Sequence, residues 1–416
     1  MIFKQNWSRR KFLSVISAAG ASTALMQFPF TALALDDIDP RVAAIVAGTI
    51  GVDTHNHIDV PLNTAEVPGP GIDLAGEMKR SGLTAICMTF ALDYQKLQSP
   101  GEAFERFMNG LASMDQQLAG NGMRRSLDLA ELNAAHEKRQ PTVIQAIEGG
   151  HFLEGKLERV EIAYNRGLRL LGLLHDSDAS VPLGDIYTND PKWGGLTAFG
   201  ASVIKECNRL GIVVDLTHCD NNTINMAIKV SQKPMLVSHT GLNTQPGSNP
   251  RMAQMMKPRL ISKEQAKLIA DAGGIIGVWT HLSDSPIEYA HNIAAMVDVV
   301  GIDHVCLGTD TKLTPAYRSP QNPNEQGKSR PDTEREGNPN GGNSTGSGHQ
   351  GPPTNGQGGP GGQRFGERTN RVWEDQKIGF YYVVVDALLK AGFNRDEISK
   401  IGGGNYLRIF NAATSK

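Results

Sequence analysis

Glu148, His175, His218, His239 and Asp310 each follow a short apolar run, at 143–147, 170–174, 212–217, 235–238 and 305–309. Imidazole nitrogens and carboxylate oxygens bind divalent cations and move protons near neutral pH. Another segment, Asp53-Thr54-His55-Asn56-His57, carries two histidines two residues apart. On an extended backbone such residues point the same way, so His55 and His57 can grip one cation from a strand end. A carboxylate at a buried strand end is costly unless it is paired or bound to metal. Its two oxygens also allow Glu148 to bridge two ions. Two clusters emerge: His55, His57 and Glu148 for one ion, and Glu148, His218 and His239 for the other. Both leave open positions, as a catalytic site requires. Zinc is the first choice for these nitrogen and oxygen donors, with manganese, iron or cobalt as alternatives. Asp310 can hydrogen-bond a metal-bridging water and shuttle its proton, or it can serve as a helix cap. His175 can donate to the oxyanion formed when a carbonyl is attacked.

Groups so far apart in sequence need a scaffold that collects strand ends. The chain offers eight strand candidates, at 49–54, 84–90, 142–147, 168–174, 212–217, 234–238, 274–279 and 304–308. Short apolar runs of this kind read as buried parallel strands. Helical patterns lie between most of them, for example at 197–210, 222–231, 263–272 and 292–300. Strand–helix alternation implies a parallel sheet with right-handed crossovers. Eight such units predict a single (β/α)8 TIM barrel of metal-dependent hydrolase type, in which the C-terminal strand ends share one face. An open doubly wound sheet is the alternative, but it would normally carry a glycine-rich phosphate loop after its first strand, and none is present. Residues from about 315 to 367 are crowded with Gly, Asn, Pro, Gln and Ser. That composition predicts a long disordered loop after the eighth strand, either gating the pocket or tolerated as a surface insertion.

The N-terminus reads as a separate segment. Ser8-Arg9-Arg10-Lys11-Phe12-Leu13 is a twin-arginine pattern, and Ala32-Leu33-Ala34 offers a small-residue cleavage site. Residues 1–34 are expected to be a removable export signal, leaving 35–416 as one domain in the periplasm or another exported location. The alternative is an uncleaved amphipathic anchor. The segment carries Lys4, Arg9, Arg10 and Lys11 and no acid, so losing these four cations takes the formal charge from −2 to −6. This balance argues against a nucleic-acid partner. The four cysteines, Cys87, Cys207, Cys219 and Cys306, form no C-x-x-C pair and read as small buried hydrophobes.

Several segments then resemble a known family: Thr54-His55-Asn56, Ile147-Glu148-Gly149-Gly150-His151, Gly195-Leu196-Thr197-Ala198-Phe199-Gly200, Asp215-Leu216-Thr217-His218, Val237-Ser238-His239-Thr240, Gly301-Ile302-Asp303-His304 and Gly404-Asn405-Tyr406-Leu407-Arg408. In this order and spacing they look like the membrane (renal-type) dipeptidase family of the amidohydrolase superfamily, from about His55 to Phe410. The resemblance implies a binuclear zinc centre bridged by Glu148, with a bridging hydroxide attacking the peptide carbonyl of a dipeptide. Asp310 would match the acid/base aspartate, and His175 the substrate-binding histidine. Arg259 would match the arginine that holds the substrate carboxylate, with Arg251 as the competing candidate. A homodimer and passage through the twin-arginine translocation machinery are further expectations. The chain departs from the family at His57, where an aspartate is usual; Asp59 is the candidate substitute. It also has Asp176 where an asparagine is common, and Thr311-Lys312-Leu313 in place of Phe-Asp-Gly. These departures keep two alternatives open: an amidohydrolase for another amide, N-acyl amino acid or lactone, and a non-catalytic metal-binding periplasmic protein.

Overall fold

The computed structural model describes residues 38–320 and 367–415. The expected export signal at 1–34 and most of the low-complexity insertion lie outside them.

A first helix, α1 (Pro40–Gly48), leads into β1 (Val52–His57). There follow α2 (Leu74–Ser81), β2 (Ala85–Thr89), α3 (Glu102–Gly120), α4 (Leu129–Glu137), β3 (Thr142–Ile147), α5 (Glu158–Asn165) and β4 (Leu168–Gly172). The second half runs α6 (Ala198–Leu210), β5 (Val213–Asp215), α7 (Asn221–Val230), β6 (Leu236–Thr240), α8 (Pro250–Met256), α9 (Lys263–Asp271), β7 (Ile275–Val278), α10 (Pro286–Val300) and β8 (Val305–Leu307). A two-residue β9 (Thr311–Lys312), α11 (Phe380–Lys390), α12 (Arg395–Ser399) and α13 (Asn405–Thr414) complete it. Each of β1 to β8 pairs in parallel with the next, and β8 pairs back to β1. The sheet is therefore a closed (β/α)8 barrel, as the strand–helix alternation predicts.

Side-chain alternation sorts the core into two layers. Ala85 and Cys87 on β2 join Ile144, Ala146, Leu170, Val213 and Leu236 in an interior cluster. Their strand neighbours Ile86, Met88, Val143, Leu171 and Val237 pack outward against the helices. Short polar caps start those helices. Thr197, Asp220, Ser262 and Ser285 accept from the backbone N–H groups of Gly200, Thr223, Gln265 and Glu288. The bottom of the barrel is sealed by α13, whose Tyr406, Ile409 and Phe410 join the interior cluster. Asn405 Nδ2 fixes that helix by donating to the carbonyls of Ile302 and Val305, 2.8 Å each.

All eight expected strands exist, the third at the residues expected and the others with shifted ends. The first was expected at 49–54 and runs Val52–His57, so both of its histidines lie within the strand. The sixth was expected at 234–238 and extends to Thr240, taking in His239. Polar residues that face a barrel mouth keep extended geometry without being apolar, which is why a hydrophobicity pattern ends these strands early. No helix among the described residues is long and apolar enough to cross a membrane.

Candidate metal centre

Glu148 stands at the middle of the C-terminal mouth. Gly149, at φ +88°, makes the sharp turn behind it; a Cβ there would come within 2.5 Å of His151 Nδ1. The carboxylate is buried. Its Oε1 lies 2.9 Å from His218 Nε2, 3.4 Å from His55 Nε2 and 3.6 Å from His239 Nε2. Its Oε2 lies 3.3 Å from His175 Nε2 and 3.5 Å from His57 Nε2. Asp310 Oδ1 completes the ring, 3.2 Å from His57 Nε2 and 3.8 Å from His55 Nε2. His218 (φ 68°) and Asp310 (φ 55°) are non-glycine residues in the left-handed region, a backbone cost typical of functional sites.

The structure thus brings together His55, His57, Glu148, His175, His218, His239 and Asp310. Three overlapping groups have ligand atoms within 4.8 Å of one another: His55, His57 and Asp310; His55, Glu148 and His239; Glu148, His175 and His218. Compared with the two clusters expected from sequence, these groups add Asp310 and His175 as potential ligands. His57 is the partner of His55, at 3.1 Å between Nε2 atoms, whereas Asp59 pairs with Lys312 Nζ at 2.6 Å. Arg259 lines the pocket; Arg251 is exposed on α8.

Two features fit these residues to divalent cations. Glu148 Oε2 is buried and accepts no hydrogen bond, although two imidazole nitrogens lie close to it. The outer nitrogens of four imidazoles are also tied down in a way that turns Nε2 to the centre. Ser238 Oγ donates to Asp215 Oδ2 at 2.5 Å, so its only proton is committed. It can then only accept from His55 Nδ1 at 3.2 Å and His239 Nδ1 at 2.9 Å. His175 Nδ1 donates to Asp93 Oδ1 at 2.5 Å. His218 Nδ1 faces Asp176 Oδ1 and the Tyr187 hydroxyl, both at 3.2 Å. A neutral imidazole that donates from Nδ1 presents a lone pair on Nε2, the usual arrangement around a metal, and His55 and His239 are held that way.

The electrostatics follow from burial set against mutual attraction. Burial lowers His55 well below its ordinary pKa and lowers His239 as well, which keeps both neutral. Burial alone would raise Glu148 and Asp310, but the surrounding imidazoles hold both well below the usual carboxylate range. Burial raises Asp53 to about 6 despite hydrogen bonds from Thr309 and Asn56. Burial opposes charge on His57, His175 and His218 as well, but the carboxylates beside them raise all three above the ordinary imidazole value.

Several site residues carry no signal in the strand-end pattern. His281 Nε2 lies 2.8 Å from Asp310 Oδ2. Asp93, which holds His175, also accepts from Ser177 N at 3.1 Å and Ser177 Oγ at 2.7 Å. Tyr94 and Tyr187 stand at the rim. His281 follows the seventh strand by three residues, so extending the strand-end rule a little would have found it. The others lie in loops without periodicity. The cavity is about 140 Å³, small beside the roughly 300–1,000 Å³ of pockets for drug-sized ligands, which suits a ligand of few atoms. A larger surface groove between α9 and α10 is lined by Lys263, Lys267 and Asp298, and among the described residues no group of potential metal ligands lies there.

Known proteins resemble this chain in sequence and in fold. The family model for membrane dipeptidases, peptidase family M19, matches residues 40–318. An uncharacterized protein in the pqqA 5′ region of Klebsiella pneumoniae is 24% identical over 227 residues, which is 51% of this chain and 80% of that protein. An amidohydrolase from Pseudomonas aeruginosa superposes with a TM-score of 0.64 at 20% identity, covering 90% of this chain and 99% of that one. A metallopeptidase from Rhodobacter sphaeroides, liganded with a phosphinate mimic of the dipeptide L-Ala-D-Ala, superposes with a TM-score of 0.56 at 16% identity. That match covers 88% of this chain and 99% of the other. At these identities the structural likeness concerns the fold.

Proposed function

The chain belongs to the membrane dipeptidase family, and from that premise we propose that it is an exported dipeptidase working with two divalent ions, zinc by first choice. The observation that carries this reading is the buried Glu148 carboxylate, one oxygen facing three imidazoles and the other, without a hydrogen bond, facing two more. His55, His57, Glu148, His218 and His239 would hold the ions. When bound, such ions supply a water acidic enough to attack at neutral pH and a Lewis acid for the scissile carbonyl.

This chain's own residues do the rest. Asp310, anchored through Oδ2 to His281, takes the proton of the attacking water on Oδ1 and returns it to the leaving nitrogen. His175 is held by Asp93 with Nε2 directed into the cavity; burial opposes its charge, but Glu148 and Asp93 raise its pKa, so Nε2 also carries a proton to donate to the carbonyl oxygen as charge builds there. Arg259 directs N–H groups at the C-terminal end of the bound dipeptide. A cavity of this size suits a substrate of about two residues.

The test is hydrolysis of a dipeptide panel by the purified protein, with metal content measured alongside. Chelation should abolish turnover, and divalent metal should restore it. Glu148→Gln should lose both metal and activity; a metal-stripped Glu148→Gln protein that stays fully active would refute the reading.

A further inference from the structure

Arg259 is already engaged. Its Nη2 lies 3.1 Å from both carboxylate oxygens of Asp176. Asp176 Oδ1 is also 3.2 Å from His218 Nδ1, so the carboxylate is held from two sides. Both residues line the cavity, with Asp176 about half exposed. Among the described residues, nothing accepts from Arg259 Nε or Nη1. The guanidinium thus offers N–H donors to a ligand, but its charge is offset by a neighbour a few ångströms away.

We propose that Asp176 is a specificity-determining residue: by neutralising Arg259 it lets the pocket take substrates whose far end is an uncharged carbonyl, such as a dipeptide amide or ester, about as well as a free carboxylate. The proposal rests on the dipeptidase reading for the orientation of the substrate. Its physical basis is simple. A carboxylate reaching Arg259 must also approach the Asp176 carboxylate, and like charges at that range oppose the attraction to the guanidinium. A neutral carbonyl oxygen still accepts from the open N–H groups and meets no repulsion. Specificity is a difference between two affinities, and the repulsive partner shrinks that difference.

The experiment compares binding of a non-hydrolysable phosphinate dipeptide analogue and its C-terminal carboxamide to the metal-loaded protein, by calorimetry. For the unmodified protein the two affinities should agree within about threefold, and Asp176→Asn should shift the ratio toward the free acid by roughly fivefold. KM values for a cleaved dipeptide and its amide should move in the same sense. Arg259→Gln, a second variant that spares the His218 contact, should weaken both ligands alike. The proposal is overturned by an unmodified protein that prefers the acid more than about tenfold, by an Asp176→Asn ratio that does not move, or by an Arg259→Gln loss confined to the acid. Failure to bind either ligand overturns it too. Failure of the dipeptidase reading shows separately, as an absence of cleavage, and leaves the binding ratios readable.

Discussion

A single hydroxyl orients two of the imidazoles around Glu148. Ser238 Oγ spends its proton on Asp215 and accepts from His55 and His239, one on β1 and one on β6. Asp215 in turn accepts from the Ser238 and Thr217 backbone N–H groups and from Thr217 Oγ1. Ser238→Ala removes the shared acceptor with almost no change in volume. It should weaken metal binding by roughly 10- to 100-fold in chelator competition, and the buried partners left unsatisfied should also cost about 1–3 kcal/mol of stability in denaturant unfolding. Cys219 and Cys207 are buried, and burial pushes both thiols up, so neither competes for the ions.

Elements are positioned by equally local devices. Gly277 on β7 and Gly308 just after β8 let the barrel wall close on the Ser238 carbonyl; a Cβ at either would lie under 2 Å from that oxygen. The segment after β4 is organised by Asp185, which is buried and accepts from the backbone N–H of Lys192 at 2.7 Å, Trp193 at 3.0 Å and Gly195 at 2.6 Å. Burial opposes its charge, but these donors win and hold its pKa below the ordinary value. The sign follows: a depressed folded pKa gives stability that is present above the unfolded value near 3.9 and lost as pH falls through the folded one. Asp185→Asn should remove this group's share of the acid-side dependence and cost about 2 kcal/mol at neutral pH, measured by denaturant unfolding from about pH 2 to 7.

The eight strands could be read from the sequence as short apolar runs, and most of the site could be read because five of those runs are followed by a ligand-type residue. His175, His218 and Asp310 sit just past their strands as the strand-end rule expects. What the rule missed lies behind or beside the ligands. Asp53, Asp215 and Ser238 are polar residues inside strands, where a hydropathy pattern reads only interruption. Asp93, Tyr94, Tyr187 and Asp176 come from loops, whose paths are set by tertiary hydrogen bonds. Arg259 was recognised by resemblance, and only the fold separates it from Arg251.

For the whole molecule, export is the proposal that most needs a cellular measurement. If Arg9 and Arg10 direct translocation, replacing both with lysine should hold the protein in the cytoplasm, as judged by fractionation, with metal content and dipeptide turnover unchanged. Both proteins found outside the cytoplasm would remove the twin-arginine route, and both found inside it would remove the export proposal; either result leaves the enzyme reading untouched.

The architecture also constrains how the molecule is made. β1 cannot complete its pairing until β8 arrives, and the floor beneath both is laid by Tyr406 and Phe410 of α13. Such distant partnerships are slow to form and leave sheet edges exposed meanwhile. A ribosome that has delivered only the first seven strands holds a chain with no stable resting point. Chaperones and proteases thus have their longest opportunity before α13 emerges, and a nonsense codon upstream of Tyr406 would yield a target for degradation rather than a weakened enzyme.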